Sequence, residues 1–309
     1  MTHRIERRRF LQSVVAGVAV SGGMRAAAAD KKLPISFSTL GCPKWDWNTI
    51  LAQAAQMGYA AIELRGLQGE MDLPKRSEFS GAQVKKSLGE IEARGLKIAG
   101  LGASTRLHES APQVRLAQID EGKRFIDLAH QLKAPYVRVF GDKIPDPKER
   151  QATIDRVIAG FRELGEHAKG SGVTVIIESH GDFTDSQTLL QILKGAEMPT
   201  TGLLWDAHHT VAMGKESPAA TYQTLSRYIR HTHLKDSKPD GNGVRYVLPG
   251  QGTIPLGEIV RLLVQGGFKG YYGLEWEKAW HPELEEPEVA FAQYAKIIRT
   301  HLTAAGLAA

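Results

Sequence analysis

From Leu33 onward the chain alternates between two kinds of segment. One is a short, continuously apolar run. The other is longer, with apolar residues recurring every three or four positions. Eight runs stand out: Ile35–Gly41, Ala60–Arg65, Lys97–Ala103, Tyr136–Gly141, Val173–Glu178, Gly202–Asp206, Ile229–Lys235 and Tyr271–Glu277. Their centres, such as VTVII and GLLW, lack a polar alternate face, which predicts parallel strands covered by helices. Between them, Glu149–Gly170 carries Ile154, Val157, Ile158, Phe161, Leu164 and Ala168 at helical spacing, and Gly170 and Gly172 end it. Val114–Leu132 reads the same way, with Leu116, Ala117, Phe125, Leu128, Ala129 and Leu132 predicted to form one buried stripe.

Eight strand-then-helix units over residues 30–309 predict an α/β chain forming a single-domain (β/α)8 barrel, a fold of roughly 250 residues. The competitor is a doubly wound open sheet, which usually carries a glycine-rich phosphate turn after its first strand. Here that turn reads GCPKWDW.

Composition is ordinary for a globular chain: 309 residues, 42% hydrophobic and 24% charged. The net charge of +5 would suggest a nucleic-acid partner, but its source is the N-terminus. Arg7-Arg8, a spacer, then Phe10-Leu11 resembles a twin-arginine export signal. Val14–Met24 is too short to span a bilayer, and Ala26–Ala29 reads as a cleavage site. Residues 1–29 are therefore expected to be a signal recognised by the twin-arginine (Tat) machinery, leaving a periplasmic or extracytoplasmic protein with no stable membrane insertion; a retained anchor is the alternative. Without them the chain falls from 39 basic and 34 acidic residues to 34 and 33, so nucleic acid is not expected as a partner. The single cysteine, Cys42, permits no intramolecular disulfide.

Catalytic groups of such barrels sit at the C-terminal ends of the strands. Runs five to eight end in IIESHGD, LLWDAHHT, HTHLKD and GLEWEK, each with an acid or a histidine: Glu178, Asp206, His233 and Glu275. A single strand-end carboxylate is more often a helix cap or an ion-pair partner. Four in succession would converge on one point, and three carboxylates that close require a cation. Oxygen-rich ligands with one imidazole favour one divalent ion: Mn²⁺ first, with Mg²⁺ or Co²⁺ as alternatives. Alternation puts His231, His233 and Lys235 on one face of the seventh run. His231 is expected to be a satisfied core histidine, Lys235 to lie further out towards substrate, and Asp236 to cap the following loop.

The order Glu / Asp-x-x-His / His-x-His-x-Lys-Asp / Glu resembles the xylose-isomerase-like TIM-barrel superfamily, in its sugar phosphate isomerase/epimerase branch. GYAAIELR, APYVRVFG and GQGTIPLGEIV…GGFKGYYGLE are similar to that branch as well. The resemblance implies Glu178, Asp206, His233 and Glu275 as metal ligands. It also implies Glu178 and Glu275 as an acid/base pair working through a cis-enediolate, and His209 as a substrate contact. Further candidates for substrate contact are His180, Glu63, Arg138 and Trp45. Arg65 is paired with Glu63, and Trp47 with Trp45 at the barrel mouth. His108 is expected in solvent and His208 facing away from the site.

The expected activity is isomerisation or epimerisation of a ketose or related carbohydrate. The alternative is a lyase or dehydratase that uses the same site for β-elimination from a keto-sugar, keto-glycoside or keto-inositol. An AP-endonuclease-like phosphodiesterase would need histidines at the ends of runs three and four, which read GLGAS and VRVFGD. A non-catalytic sugar-binding protein would leave His209 and Lys235 without purpose. Related barrels often pair, so a homo-oligomer using Trp276–Trp280 stays open.

Overall fold

The structure, a computed structural model, describes residues 32–307. The predicted signal lies outside them. All eight predicted runs form strands, in this order: β1 (Ile35–Ser38), α1 (Trp47–Gln56), β2 (Ala61–Leu64), α2 (Gln83–Ala93), β3 (Lys97–Arg106), α3 (Pro112–Gln131), β4 (Tyr136–Phe140), α4 (Arg150–His167), β5 (Thr174–Glu178), α5 (Ser186–Gly195), β6 (Thr201–Asp206), α6 (Ala207–Ala212), α7 (Pro218–Leu225), β7 (Ile229–Leu234), β8 (Asp236–Asp240), β9 (Gly243–Val247), α8 (Leu256–Gln265), β10 (Tyr272–Leu274) and α9 (Pro287–Ala304). Strands β1, β10, β7, β6, β5, β4, β3 and β2 close a parallel barrel in that order. This is a single-domain (β/α)8 TIM barrel. Among the described residues, no helix is long and apolar enough to cross a membrane.

The strands are buried on both faces, as continuous apolar runs demand; every residue of β6 is buried. The barrel closes where Ile35, Ser36 and Phe37 pair with Tyr272, Gly273 and Leu274. Helix α9 seals that seam. Phe291 stacks on Phe37 at 4.2 Å, Tyr59 donates to the Phe291 carbonyl at 2.7 Å, and Tyr294 donates to the Tyr272 carbonyl at 3.0 Å. Burial of these aromatic rings contributes on the order of 2 kcal/mol each.

One expectation fails and one feature was not foreseen. Leu116 and Ala117 are exposed, Leu116 by 61%. The buried stripe of α3 begins at Ile119 and continues through Phe125, Ile126, Leu128 and Ala129. Near its N-terminal end α3 meets the barrel through polar contacts, with Gln118 accepting from Arg106 N at 2.6 Å and Glu121 from Ser104 N at 3.2 Å. Apolar residues there have no apolar partner to cover them. The second surprise is the antiparallel hairpin β8–β9, inserted directly after β7.

Asp236 ties that hairpin to the barrel, as the capping expectation required. Its buried carboxylate accepts backbone N–H bonds from Ser237, Gly250, Gly252 and Ile254 at 2.9–3.1 Å. Asp236→Ala should strand these donors and cost at least about 3 kcal/mol, because hydrogen bonds to a buried charge are among the strong ones. Chemical denaturation measures this directly; a loss under 1 kcal/mol (about one neutral hydrogen bond) would contradict it.

Candidate metal centre

Strand geometry delivers four donors to one point. Glu178 closes β5, Asp206 closes β6, His233 stands one residue before the end of β7, and Glu275 follows β10. Register sets their depth: His233 pairs with Asp206 on one side and with Gly273 on the other. Gly273 is required there, since a Cβ would stand 2.7 Å from the Thr232 carbonyl. The four candidate ligand atoms lie within 4.8 Å of one another, and all four side chains are buried.

His233 Nδ1 is at the centre, 3.4 Å from Glu178 Oε1 and 3.3 Å from Glu275 Oε2. It is buried and has no hydrogen-bond partner. Its Nε2 is 2.8 Å from Glu63 Oε2, the same oxygen that His231 Nε2 approaches at 2.9 Å. A carboxylate accepts only, so both imidazoles donate to it. Glu63 therefore fixes the His233 ring with Nδ1 turned to the cluster, as second-sphere carboxylates do for metal-ligating histidines.

The charge balance points the same way. Five buried carboxylates, Glu63, Glu178, Asp206, Glu275 and Glu277, face three cationic side chains, Arg65, Arg138 and Lys235. With His233 neutral, two negative charges would remain uncompensated, and a divalent cation would supply that difference. The donor set of three carboxylates and one imidazole fits such an ion. The residues present could hold a divalent metal.

The titration behaviour follows from this crowding. Burial raises the Glu178 carboxyl, but the Arg138 guanidinium, with Nε 3.0 Å from Oε2, overcomes it and leaves the group below its ordinary value. Burial opposes ionisation of Asp206 too; His209 and Lys235 outweigh it and bring the carboxyl to about 2. Glu275 is held well below the usual range because His233 and Lys235 outweigh burial. Glu277 is raised, since burial and the neighbouring Glu275 outweigh its contact with Lys235. His233 is pushed well above its ordinary value; burial opposes the imidazolium, but Glu275, Glu63 and Glu178 dominate.

Several predicted site residues take other positions. Lys235 does not reach outward. It is fully buried, with Nζ 2.7 Å from Asp206 Oδ2, 2.7 Å from Glu277 Oε1 and in contact with Glu275. The surrounding carboxylates draw the flexible side chain inward. Glu63, expected to meet substrate hydroxyls, has one oxygen engaged by His231 and His233 and is 2% exposed. His231 is the satisfied core histidine expected. Arg138 is directed at Glu178 and the Ala103 carbonyl, with its guanidinium over Phe140. Trp45 packs edge-on against Phe291 in the core, while Trp47 bonds Glu90 and packs on Phe79. His108 is buried on the Gly141 carbonyl, because β3 and its turn fold it under the rim. His208 is buried as well, with Nε2 2.8 Å from Ser237 Oγ; burial depresses it to about 3. Trp276 lies in the core, whereas Trp280 is 55% exposed.

Two candidates do sit at the mouth. His209 directs Nδ1 to the Ser179 carbonyl at 3.0 Å, and its ring lies 5.1 Å from that of His180, whose side chain is 35% exposed. Sequence reasoning missed Glu277, although its two-residue spacing from Glu275 was a signal. It also missed Tyr246, which the hairpin brings to 6.0 Å from Lys235.

Residues 51–300 match the family described as xylose isomerase-like TIM barrel. The chain belongs to that family. Within it, the chain is 23% identical over 233 residues to fructoselysine 3-epimerase of Shigella flexneri, covering 72% of this chain and 82% of the relative. It is 30% identical over 231 residues to inosose dehydratase of Serratia proteamaculans (strain 568), covering 64% and 74%. A family member from Mycobacterium smegmatis, solved in complex with magnesium, superposes with a TM-score of 0.66 at 18% identity, covering 89% of this chain and 98% of that one. That last likeness concerns the fold. The relatives are epimerases and dehydratases.

Two outcomes are expected for metal binding. Glu63→Gln should weaken divalent-ion affinity about 10- to 100-fold, the usual effect of losing a second-sphere carboxylate; an unchanged affinity by calorimetry would refute the role of Glu63. A cation at His233 Nδ1 must displace the proton that the raised imidazole retains. Binding should therefore release protons and tighten as pH rises, which calorimetry in buffers of different ionisation heat detects.

Proposed function

We propose that this protein is a divalent-metal-dependent carbohydrate isomerase or epimerase acting on a ketose or related sugar. One observation carries the reading. Glu178 and Glu275 approach the same buried nitrogen, His233 Nδ1, from different strands and at nearly equal distances. Arg138 partners Glu178, and Lys235, shared with Asp206 and Glu277, partners Glu275. Two carboxylates carried by different strands and converging on one volume can act on one substrate carbon, one taking a proton and the other returning it.

In this reading Glu178, kept ionised by Arg138, removes the proton α to the substrate carbonyl. The C–H electron pair moves into the carbonyl, giving an enediolate. Glu275, ionised in the resting site, first takes a proton from water or a substrate hydroxyl and then delivers it to the other face of the carbon, which inverts the centre and restores the carbonyl; Glu178 returns its own proton to water. A bound divalent ion would polarise the carbonyl and its neighbouring hydroxyl, acidifying the α-proton; Mn²⁺ is our first choice, with Mg²⁺ or Co²⁺ as alternatives. Glu178, Asp206, His233 and Glu275 would hold it. Lys235 holds Asp206, Glu275 and Glu277 in place, and His209 faces the substrate.

A lyase is the second reading, favoured by the half-exposed His180 beside His209 and by the inosose dehydratase relative. The first step is the same, but the electron pair expels an oxygen substituent from the β-carbon. Residues 1–29 fit the proposal that the protein acts outside the cytoplasm, where free ketoses and keto-glycosides are more available than sugar phosphates.

Incubation with ketoses and keto-glycosides in D₂O tests both readings. Deuterium entering the α-position of the recovered sugar, with an epimer accumulating, supports the epimerase. An unsaturated ketone or released aglycone supports the lyase. Glu178→Gln should slow exchange by about 10²- to 10⁴-fold, the scale of a lost general base. Unaltered turnover in that variant would sink the acid/base assignment.

A further inference from the structure

Outside the four-donor cluster, one pairing at the barrel mouth has no part in the proton transfer proposed above. Asp142 follows β4 with a backbone φ of +73°, a left-handed conformation that few residues other than glycine adopt. Its carboxylate is buried, 3.4 Å from His180 Nδ1 and 3.5 Å from Arg106 Nε. Its carbonyl accepts Asp182 N at 2.8 Å, and Asp182 Oδ2 in turn accepts Ile144 N at 2.8 Å. Gly181, at φ +62°, lies so close that a Cβ would stand 2.0 Å from the Asp142 carbonyl oxygen. The loops after β4 and β5 are thereby locked together, and the lock holds Asp142 in its strained backbone.

Glycine would occupy that backbone without strain. What aspartate adds is a carboxylate, and it faces His180. The His180 ring packs on Phe140 at 4.6 Å and lies edge-on to His209 at 5.1 Å. His209 is engaged at Nδ1 by the Ser179 carbonyl; His180 Nδ1 is buried without a hydrogen bond, and the Asp142 carboxylate, 3.4 Å away, is the charged group beside it. Their Nε2 edges are the ones left for a ligand. Aspartate adopts this backbone at less cost than most side chains, and the carboxylate it brings is set beside His180.

We propose that Asp142 is a positioning residue that holds His180 at Nδ1, so that the His180 and His209 imidazoles together grip the substrate oxygen lying away from the four-donor cluster. The substrate role rests on the carbohydrate reading above; the control of the His180 ring does not.

The test uses the full chain with Mg²⁺, ¹⁵N-histidine NMR, thermal unfolding and three variants: Asp142→Gly, Asp142→Asn and His180→Gln. In the wild type, neutral His180 should show one tautomer with its proton on Nδ1. Asp142→Gly should show mixed tautomers while its unfolding midpoint stays equal or rises. Asp142→Asn, which tolerates the backbone and still accepts a hydrogen bond, should retain most of the wild-type tautomer. On a ketose or keto-glycoside that is turned over, Asp142→Gly and His180→Gln should each lower kcat/KM about 10- to 100-fold, and the double variant no further. An unchanged tautomer in Asp142→Gly overturns the proposal, as does a falling midpoint, which would make Asp142 merely structural. A mixed tautomer with unchanged kcat/KM overturns the substrate role. If no sugar is turned over, the proposed function fails, and the NMR and unfolding results still decide whether Asp142 controls His180.

Discussion

The constraint on which the rest of the structure depends is the concentration of buried negative charge at one end of the barrel. Five carboxylates, each no more than 8% exposed, share one small volume. Taking even one such charge out of water costs several kcal/mol unless it is paired. Each acid accordingly has a cationic or donor partner: Arg138 for Glu178, the shared Lys235 for Asp206, Glu275 and Glu277, and two histidines for Glu63. These partners are as necessary as the donors they support. Removing one would leave a buried charge uncompensated, a far larger perturbation than losing a surface ion pair.

The barrel makes this concentration feasible because it fixes both members of each pair on rigid strands. Arg138 sits mid-strand in β4, deeper than Glu178 at the end of β5, so the guanidinium reaches up to the carboxylate. Glu63 reaches from β2 across the barrel interior to two histidines of β7. The inner layer is therefore a lattice of ion pairs stacked beneath the donors, and apolar packing is concentrated between strands and helices. Asp206 shows how closely the two are joined: one oxygen caps α6 through His209 N, and the other faces Lys235. A candidate ligand position and a helix start are the same residue.

Much of this was legible in the sequence. Continuous apolar runs gave the strands, and the residues ending runs five to eight were those that converge. Direction was harder to read than position. Alternation correctly put His231, His233 and Lys235 on one face, but not where a flexible four-carbon side chain would turn once surrounded by carboxylates. Trp45 looked available because it follows a strand end, yet a ring beside Phe291 gains more from burial than from solvent. The hairpin was hidden because its strands, DSKPD and GVRYV, are polar or mixed, and one contains proline. Leu116 looked buried because period alone does not say where a helix stops touching its neighbour.

The anchoring of the hairpin at Asp236 has an evolutionary corollary. Lys235 belongs to the inner ion-pair lattice, and the next residue gathers four backbone amides that bound the inserted segment on both sides. Beyond that knot, Lys238 to Gly243 are exposed. The tip can therefore be lengthened, shortened or rewritten by drift without disturbing the ammonium one residue upstream. Descendants of this chain are free to vary the hairpin tip while inheriting the buried ion-pair lattice unaltered.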